Sequence, residues 1–283
     1  MTTLDARPGT PVLPVTFPRV VSSEWIKFRT VRATVWSLSL TVVAMVGIAA
    51  LAAWSVADLL AGEEMLEPGS GSAQAASFLI GGWFIAQLVV AVLGVLVITG
   101  EYGTGMVRST FAAEPRRVLA LLGKALVLFS VVAVVSAIAV ALSWLAAMPF
   151  LGQLDAMVDL ADPTTVRMLL GTPLYLATIA VLAFAIGALV RHSAGALAAV
   201  LGLLLVVEVV FASVLLRFFE IVSPYLPSTA GQQLLSAGGD AADYETGIGA
   251  VTQLTPWQGY GVLVAWVLVL LTAALVLVRR RDA

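Results

Sequence analysis

Residues 170–190 read LGTPLYLATIAVLAFAIGALV, and after RHS at 191–193 a second apolar run, AGALAAVLGLLLVVEVVFASVLL, extends to residue 216. An α-helix rises about 1.5 Å per residue, so about 20 apolar residues are needed to cross a hydrocarbon layer about 30 Å thick. Lipid also requires every backbone polar group to be bonded within the segment, which a helix achieves. The two runs therefore predict two transmembrane helices joined by a tight hairpin.

Further apolar blocks of this length account for most of the remaining chain. The 283 residues are 60% hydrophobic and 11% charged, with a mean hydropathy of +1.03, whereas soluble domains average about 25% charged residues. Transmembrane strands alternate between two environments, but these blocks are continuously apolar and therefore favour helices. We predict an all-α polytopic membrane protein whose membrane domain occupies 36–283. Its six transmembrane helices are predicted at about 36–57, 77–99, 118–148, 170–190, 194–216 and 258–278.

The segment before the first span divides into two parts. Prolines among small polar residues predict a disordered tail over residues 1–18. Over residues 19–35, apolar side chains recur every three or four positions and basic side chains fall between them. This pattern is typical of an amphipathic helix that lies in the membrane surface and contacts lipid. The residues that define it are Trp25, Lys27, Phe28, Arg29 and Arg32.

The positions of lysine and arginine predict the orientation, because short loops rich in these residues stay in the cytoplasm. Of the 15 Lys and Arg residues, all but Arg167 and Arg217 lie in four places. These are the amino-terminal segment, the loop after the second span, the hairpin at 191–193 and the carboxy-terminal tail. We therefore predict a multi-pass protein of the cell membrane with both termini in the cytoplasm.

Side chains that carry enzyme chemistry are scarce in this sequence. There is no cysteine, and the single histidine, His192, has neither a second histidine nor a neighbouring carboxylate with which to bind a metal. The G-x-x-x-x-G-K-[ST] loop that binds nucleotide phosphates is absent. We assign no catalytic residue, metal site, cofactor or nucleic-acid partner to this chain, and we interpret His192 as a helix-end residue. A membrane-embedded enzyme is the least favoured class.

Glu208 is the single ionisable residue well inside a predicted span. Such residues are costly in lipid and commonly face a protein interior or a watery cavity, which makes them candidates for function. The alternative is a structural, protonated carboxyl group that bonds to a neighbour such as Gln87, near the middle of the second span. Both interpretations stay open. Lys124, near the start of the third span, is predicted to extend its ammonium group toward water.

Small residues recur at spacings of three or four in the fourth and fifth spans. Ala183 and Gly187 form one pair, and a second stripe consists of Gly195, Ala199 and Gly202. Small side chains let transmembrane helices approach closely. These positions predict either packing inside one bundle or a face for dimerisation.

The loop from Glu101 to Arg117, EYGTGMVRSTFAAEPRR, combines glycines, apolar anchors and arginines. The glycines loosen the chain, a threonine can cap a helix and a proline can end one, so we predict a short surface helix between two spans. An ordinary positive loop is the alternative. The candidate functional residues are Glu101, Tyr102, Gly103, Thr104, Gly105, Val107, Arg108, Phe111, Arg116 and Arg117.

Three stretches resemble the permease subunits of actinobacterial type 2 ATP-binding-cassette (ABC) exporters. They are SSEWIKFRTVRATVWSL at 22–38, ITGEYGTGMVRSTFAAEPRR with the following GKAL within 98–126, and YLPSTAGQQLLS at 225–236. Their order on a chain with six predicted spans strengthens the resemblance, which covers nearly the whole sequence.

The resemblance implies a half-transporter that pairs with a second copy or a related permease subunit. Two separate ATPase subunits would bind ATP and Mg. Residues 19–35 would be an interfacial connecting helix, and 101–117 would contain the coupling helix that rests on the ATPase. The outer connection at 217–257 would correspond to the family's final external segment, which is often partly re-entrant. The expected function is export by alternating access. A secondary transporter or channel that uses Glu208 is the alternative, and the sequence does not specify the cargo.

Overall fold

The computed structural model describes residues 16–59, 71–104, 117–152, 158–213, 217–238, 245–246, 249–250 and 254–281. These ranges are almost entirely helical, which confirms the predicted class. The α-helices are α1 (Phe17–Thr30), α2 (Arg32–Leu59), α3 (Gly71–Ile80), α4 (Trp83–Thr104), α5 (Arg117–Leu151), α6 (Pro163–Val190), α7 (Ser193–Leu201), α8 (Glu208–Ser213), α9 (Arg217–Val222), α10 (Pro227–Gln232) and α11 (Pro256–Arg281). A π-helix spans Gly202–Val207, and 3-10 turns span Ser223–Tyr225 and Gln233–Leu235. The two-residue strands β1 (Glu245–Thr246) and β2 (Gly249–Ala250) pair antiparallel, with Glu245 opposite Ala250.

Within the described residues, five helical stretches are long and apolar enough to cross a membrane. They are 32–57, 72–103, 118–151, 163–190 and 256–278. Each overlaps a predicted span, so transmembrane helices are the basis of this fold. The span predicted at 194–216 differs, because Ser193–Val207 is a shorter apolar helix whose last six residues form the π-helix. Single π turns are rare and are frequent at functional sites, and this one ends directly before Glu208.

The hairpin predicted at 191–193 is present. Helix α6 ends at Val190, and Arg191 takes the left-handed conformation (φ 60°) while its backbone N–H donates to the carbonyl oxygen of Gly187. Nδ1 of His192 then caps α7 by accepting a hydrogen bond from the backbone N–H of Gly195 at 3.2 Å. His192 is therefore a helix-end residue, as its sequence position predicted.

Helix α6 occupies the centre of the bundle. It begins with Pro163, and the carboxylate of Asp162 accepts hydrogen bonds from the backbone N–H groups of Thr164 and Thr165, each at 3.0 Å. The helix packs against α3, α4, α5, α7 and α11. Most of its side chains are buried, so α6 contacts protein rather than lipid along most of its length.

Small residues allow α4 and α6 to approach closely. A Cβ atom on Gly94 of α4 would overlap the backbone carbonyl of Ala180 on α6, and one on Gly187 would lie 2.7 Å from Cγ2 of Ile98. Ala183 and Gly187 therefore serve packing inside one bundle. The second stripe is different, because Gly195 and Ala199 are exposed. A dimer face remains a prediction for that stripe.

The amphipathic helix predicted over 19–35 has different bounds. Helix α1 ends at Thr30, because the backbone of Val31 is extended (ψ 116°) and interrupts the helical path. Helix α2 begins at the next residue. Arg32 is thus the first residue of the first long apolar helix and not part of α1.

The second predicted span, 77–99, is also divided. Helices α3 and α4 meet at a turn formed by Gly81 and Gly82. A Cβ atom on Gly82 would lie 2.5 Å from Cα of Met45, so the backbone of α2 passes against this turn. The break coincides with the close approach of α2, which leaves no room for a side chain.

Candidate functional site

Four charged side chains meet where α1, α4 and α5 come together. We call them the ion cluster, and they are Glu24, Lys27, Glu101 and Lys124. The ammonium nitrogen of Lys124 lies 2.5 Å from Oε2 of Glu24 and 2.6 Å from Oε1 of Glu101. Nζ of Lys27 lies 2.8 Å from Oε1 of Glu24 and 3.5 Å from Oε1 of Glu101. Two carboxylates and two ammonium groups make the cluster formally neutral.

The ion cluster is largely shielded from the surroundings. The side chain of Lys124 is 4% exposed and that of Glu24 is 7% exposed, whereas that of Lys27 is 35% exposed. Burying an unpaired charge is very costly, so buried charges require partners. The prediction that Lys124 extends toward water is wrong. Its ammonium group instead takes two carboxylates from two other helices as partners.

Glu24 was not recognised as a candidate from the sequence. The buried residues of α1 are Val20, Glu24 and Phe28, which recur every four positions and form one face. Trp25, assigned to the apolar face, is 46% exposed, while Phe28 on the same predicted face is 8% exposed. An acidic residue in a surface helix normally faces water, so the one available signal was the spacing of Glu24 from Val20 and Phe28.

The charges of the cluster stabilise one another. Burial by itself disfavours the charged form of Lys27, but the hydrogen bond to Glu24 and the charges of Glu24 and Glu101 outweigh it, so the pKa of Lys27 is raised. Lys27 thus remains an ammonium group throughout the physiological range. Two other basic residues of the predicted interfacial helix, Arg29 and Arg32, are exposed.

The predicted coupling residues fall into three groups, two of which the structure describes. Helix α4 continues past the end of the predicted span, and its last turn consists of Glu101, Tyr102, Gly103 and Thr104. These four residues are therefore helical and not part of a loop. Arg117 is the first residue of α5. The ring of Tyr102 lies 5.4 Å from the guanidinium carbon of Arg191, in a cation–π contact. The remaining candidates lie outside the described residues, and they are Gly105, Val107, Arg108, Phe111 and Arg116.

A second group of polar side chains surrounds Glu208 in α8. Oε1 of Glu208 accepts a hydrogen bond from the backbone N–H of Ser228 at 2.8 Å. The hydroxyl oxygen of Ser228 lies 2.8 Å from that of Tyr175 and 3.3 Å from Oε1 of Gln87. The Tyr175 hydroxyl donates to Oε1 of Gln87 at 2.5 Å. We call these four residues the polar network, which joins α4, α6, α8 and α10.

The polar network lies inside the protein. Gln87, Tyr175 and Ser228 have no exposed surface, and Glu208 is 6% exposed. One of the two interpretations of Glu208 gave it a bond to a neighbour such as Gln87. In the structure the hydrogen bonds connect these two side chains through Ser228 of α10. Tyr175 and Ser228 gave no functional signal, since single hydroxyl groups are common in apolar helices. The network fastens α10 onto α8 through a carboxylate.

Arg167 binds the residues that follow the carboxy-terminal end of α10. Its guanidinium group donates hydrogen bonds to the backbone carbonyl oxygens of Gln233, Leu234, Ser236 and Gly238 at 2.9–3.3 Å. The residues that follow α10 are therefore held against the start of α6. No group of three or more His, Asp or Glu side chains suited to holding a metal occurs among the described residues.

No protein-family model matches this chain, and no curated protein matches its sequence. The fold and composition define a helical protein with several apolar helices of transmembrane length. The assignment to a functional class therefore depends on the motifs in the sequence and on the two polar clusters.

Proposed function

We propose that this chain is the membrane-spanning permease subunit of an ABC-type exporter. It moves a substrate outward by alternating access, and separate ATPase subunits bind ATP and Mg and supply the energy. The observation that carries the proposal is the ion cluster, because it joins two of the three family-like motifs. Glu24 and Lys27 belong to the first motif, and Glu101 and Lys124 belong to the second.

The third motif has a comparable place in the fold. Ser228 of YLPSTAGQQLLS donates its backbone N–H to Glu208 and its side chain belongs to the polar network. Each motif thus contributes side chains to long-range contacts between helices. This arrangement supports a permease in which residues 101–117 contact the ATPase, α1 lies on the membrane surface, and a second copy or related subunit completes the transporter.

The proposal is tested by purifying the tagged chain from membranes of its own host in a mild detergent. We expect a subunit with a nucleotide phosphate-binding loop to co-purify, and the complex to hydrolyse ATP in lipid nanodiscs. Substituting the lysine of that loop is the matched control and should abolish hydrolysis without dissociating the complex. A chain that purifies intact without any ATPase, and that transports without ATP, would exclude the proposal.

A secondary transporter or channel is the second candidate, and Glu208 favours it. Its carboxylate is buried, follows a π-helix directly and belongs to a chain of hydrogen bonds across four helices. This candidate predicts flux that is driven by a proton or ion gradient without ATP. Glu208→Gln, which removes the charge and keeps the shape, should then abolish the flux.

A further inference from the structure

Lys124 holds together carboxylates that belong to two different helices. Glu24 is on α1 and Glu101 is in the last turn of α4, and both oxygens lie within 2.6 Å of the same nitrogen on α5. Nζ of Lys27 is farther from Glu101, at 3.5 Å, so the shorter ion pair between the end of α4 and its neighbours is the one with Lys124. One ammonium group on α5 thus pairs with a carboxylate from each of the other two helices.

Apolar packing reinforces the link between α1 and α5. A Cβ atom on Gly123 would lie 3.1 Å from Cγ1 of Val20 and 3.9 Å from the ring of Phe17, so α1 rests directly on the helix turn that carries Lys124. At its other end α1 is separated from α2 by the extended residue Val31. Helix α1 is thus fastened sideways to α5 and joined to α2 through a non-helical residue.

We infer that Lys124 is a positioning residue for energy coupling, because it fastens α1 to the end of α4 that leads into residues 105–116. The inference rests on the proposed function, in which that part of the chain contacts the ATPase. A displacement of the end of α4 is passed through Lys124 to α1 and α5. Helix α1 then moves together with the end of α4 during the nucleotide cycle, although its non-helical link to α2 at Val31 would not by itself require this movement.

The cluster itself is tested without any ATPase. Lys27 and Lys124 are the only lysines in the chain, so an amine-acetylating reagent reports on these two side chains and the amino terminus. We expect Lys124 to be acetylated at least tenfold more slowly than Lys27 in purified protein, as read by mass spectrometry. Glu24→Gln should reduce that difference. Equal rates in the unsubstituted protein would overturn the inference, because the ammonium group would then be accessible.

The coupling step needs a reporter on α1, and the absence of cysteine provides a clean background. Ser22→Cys places one thiol on an exposed position of α1. In the complex with its ATPase in nanodiscs, we expect vanadate trapping with ATP to change the rate of maleimide labelling at least threefold. Lys124→Met should abolish this change while the ATPase still co-purifies. Lys124→Met combined with Glu101→Gln, which removes one carboxylate together with the ammonium group, is the second variant if the first does not fold.

Reversal of all four charges distinguishes positioning from mere stability. The reversed variant carries Glu24→Lys, Lys27→Glu, Glu101→Lys and Lys124→Glu. Each ion pair is then restored with opposite signs, and we expect the change in maleimide labelling rate on vanadate trapping to return. If Lys124→Met keeps the change, or if the reversed cluster folds and does not regain it, the inference is wrong. An unsubstituted complex whose reporter does not respond also overturns it. Absence of any ATPase from the unsubstituted preparation is a separate result, which excludes the proposed function itself.

Discussion

Replacement of Glu208 has consequences that can be worked out from its hydrogen bonds. Ser228 is the second residue of α10, so its backbone N–H has no acceptor within the helix and donates to Oε1 of Glu208 instead. Glu208→Ala removes that acceptor from a position where Ser228 has no exposed surface. An unsatisfied buried group costs about 1–3 kcal/mol, and we expect Glu208→Ala to destabilise the protein by about that amount.

Glu208→Gln should behave differently, because its amide oxygen can still accept from Ser228. The free energy of unfolding in mixed detergent measures both variants, with Val206→Ala as the control, since Val206 is 59% exposed on the same segment. We expect the free energy of unfolding of Glu208→Gln to be close to that of the unsubstituted protein, and that of Glu208→Ala to be clearly lower. If Glu208→Ala does not lower the free energy of unfolding, or if Glu208→Gln lowers it as much as Glu208→Ala, Glu208 does not stabilise the protein through its hydrogen bond to Ser228. Normal transport by Glu208→Gln at every pH would separately exclude the gradient-driven candidate.

Further predictions concern packing, pH and topology. Gly94→Ala should destabilise the bundle by about 1–3 kcal/mol, because the added methyl group overpacks against α6. Gly100→Ala on the same helix should not destabilise it, since a Cβ atom there meets nothing within 4 Å. Thermal unfolding of the two variants checks this prediction. Hydrogen bonds from two threonines lower the pKa of Asp162, so its cap is present above its ordinary pKa and is lost as pH falls through the lowered value. Asp162→Asn, which also caps, should therefore remove the loss of stability that sets in as pH falls below the ordinary pKa of 3.8, and an unchanged pH dependence would contradict the assignment. Single cysteines should label from outside intact cells at Ser70 and Asp240 and not at Ser109; labelling at Ser109 would reverse the orientation.

The parts of the fold that depend on length and hydropathy could be predicted from the sequence. The hairpin at 191–193 follows from two long apolar runs with three residues between them, and the structure has helix ends there. The break at Gly82 could not be predicted, because it depends on how closely α2 passes. Hydropathy distinguishes lipid from water, but it does not show which apolar face meets another helix.

The candidate site was only partly accessible to sequence reasoning for a related reason. Glu208 stood out because it is an acid within an apolar run, whereas Ser228 and Tyr175 became meaningful only when α10 and α6 were placed beside it. The residues next to Glu24 and Lys124 in the sequence do not mark either of them as a candidate. Their importance comes from a contact between residues 100 positions apart in sequence, which no local pattern encodes.

The most direct test of the proposed function is the affinity of the ATPase subunit for this chain and for Phe111→Ala. Phe111 is the predicted apolar anchor of the coupling segment, and truncating such an anchor costs about 2 kcal/mol, or about thirtyfold in Kd. Phe218→Ala is the matched control, because Phe218 is 64% exposed and is predicted to lie on the opposite side of the membrane. Binding measured in nanodiscs should be tight for the unsubstituted chain, equally tight for Phe218→Ala and about thirtyfold weaker for Phe111→Ala. An unsubstituted chain that binds no ATPase, or a Phe111→Ala chain with unchanged Kd and unchanged ATP hydrolysis, would contradict the account.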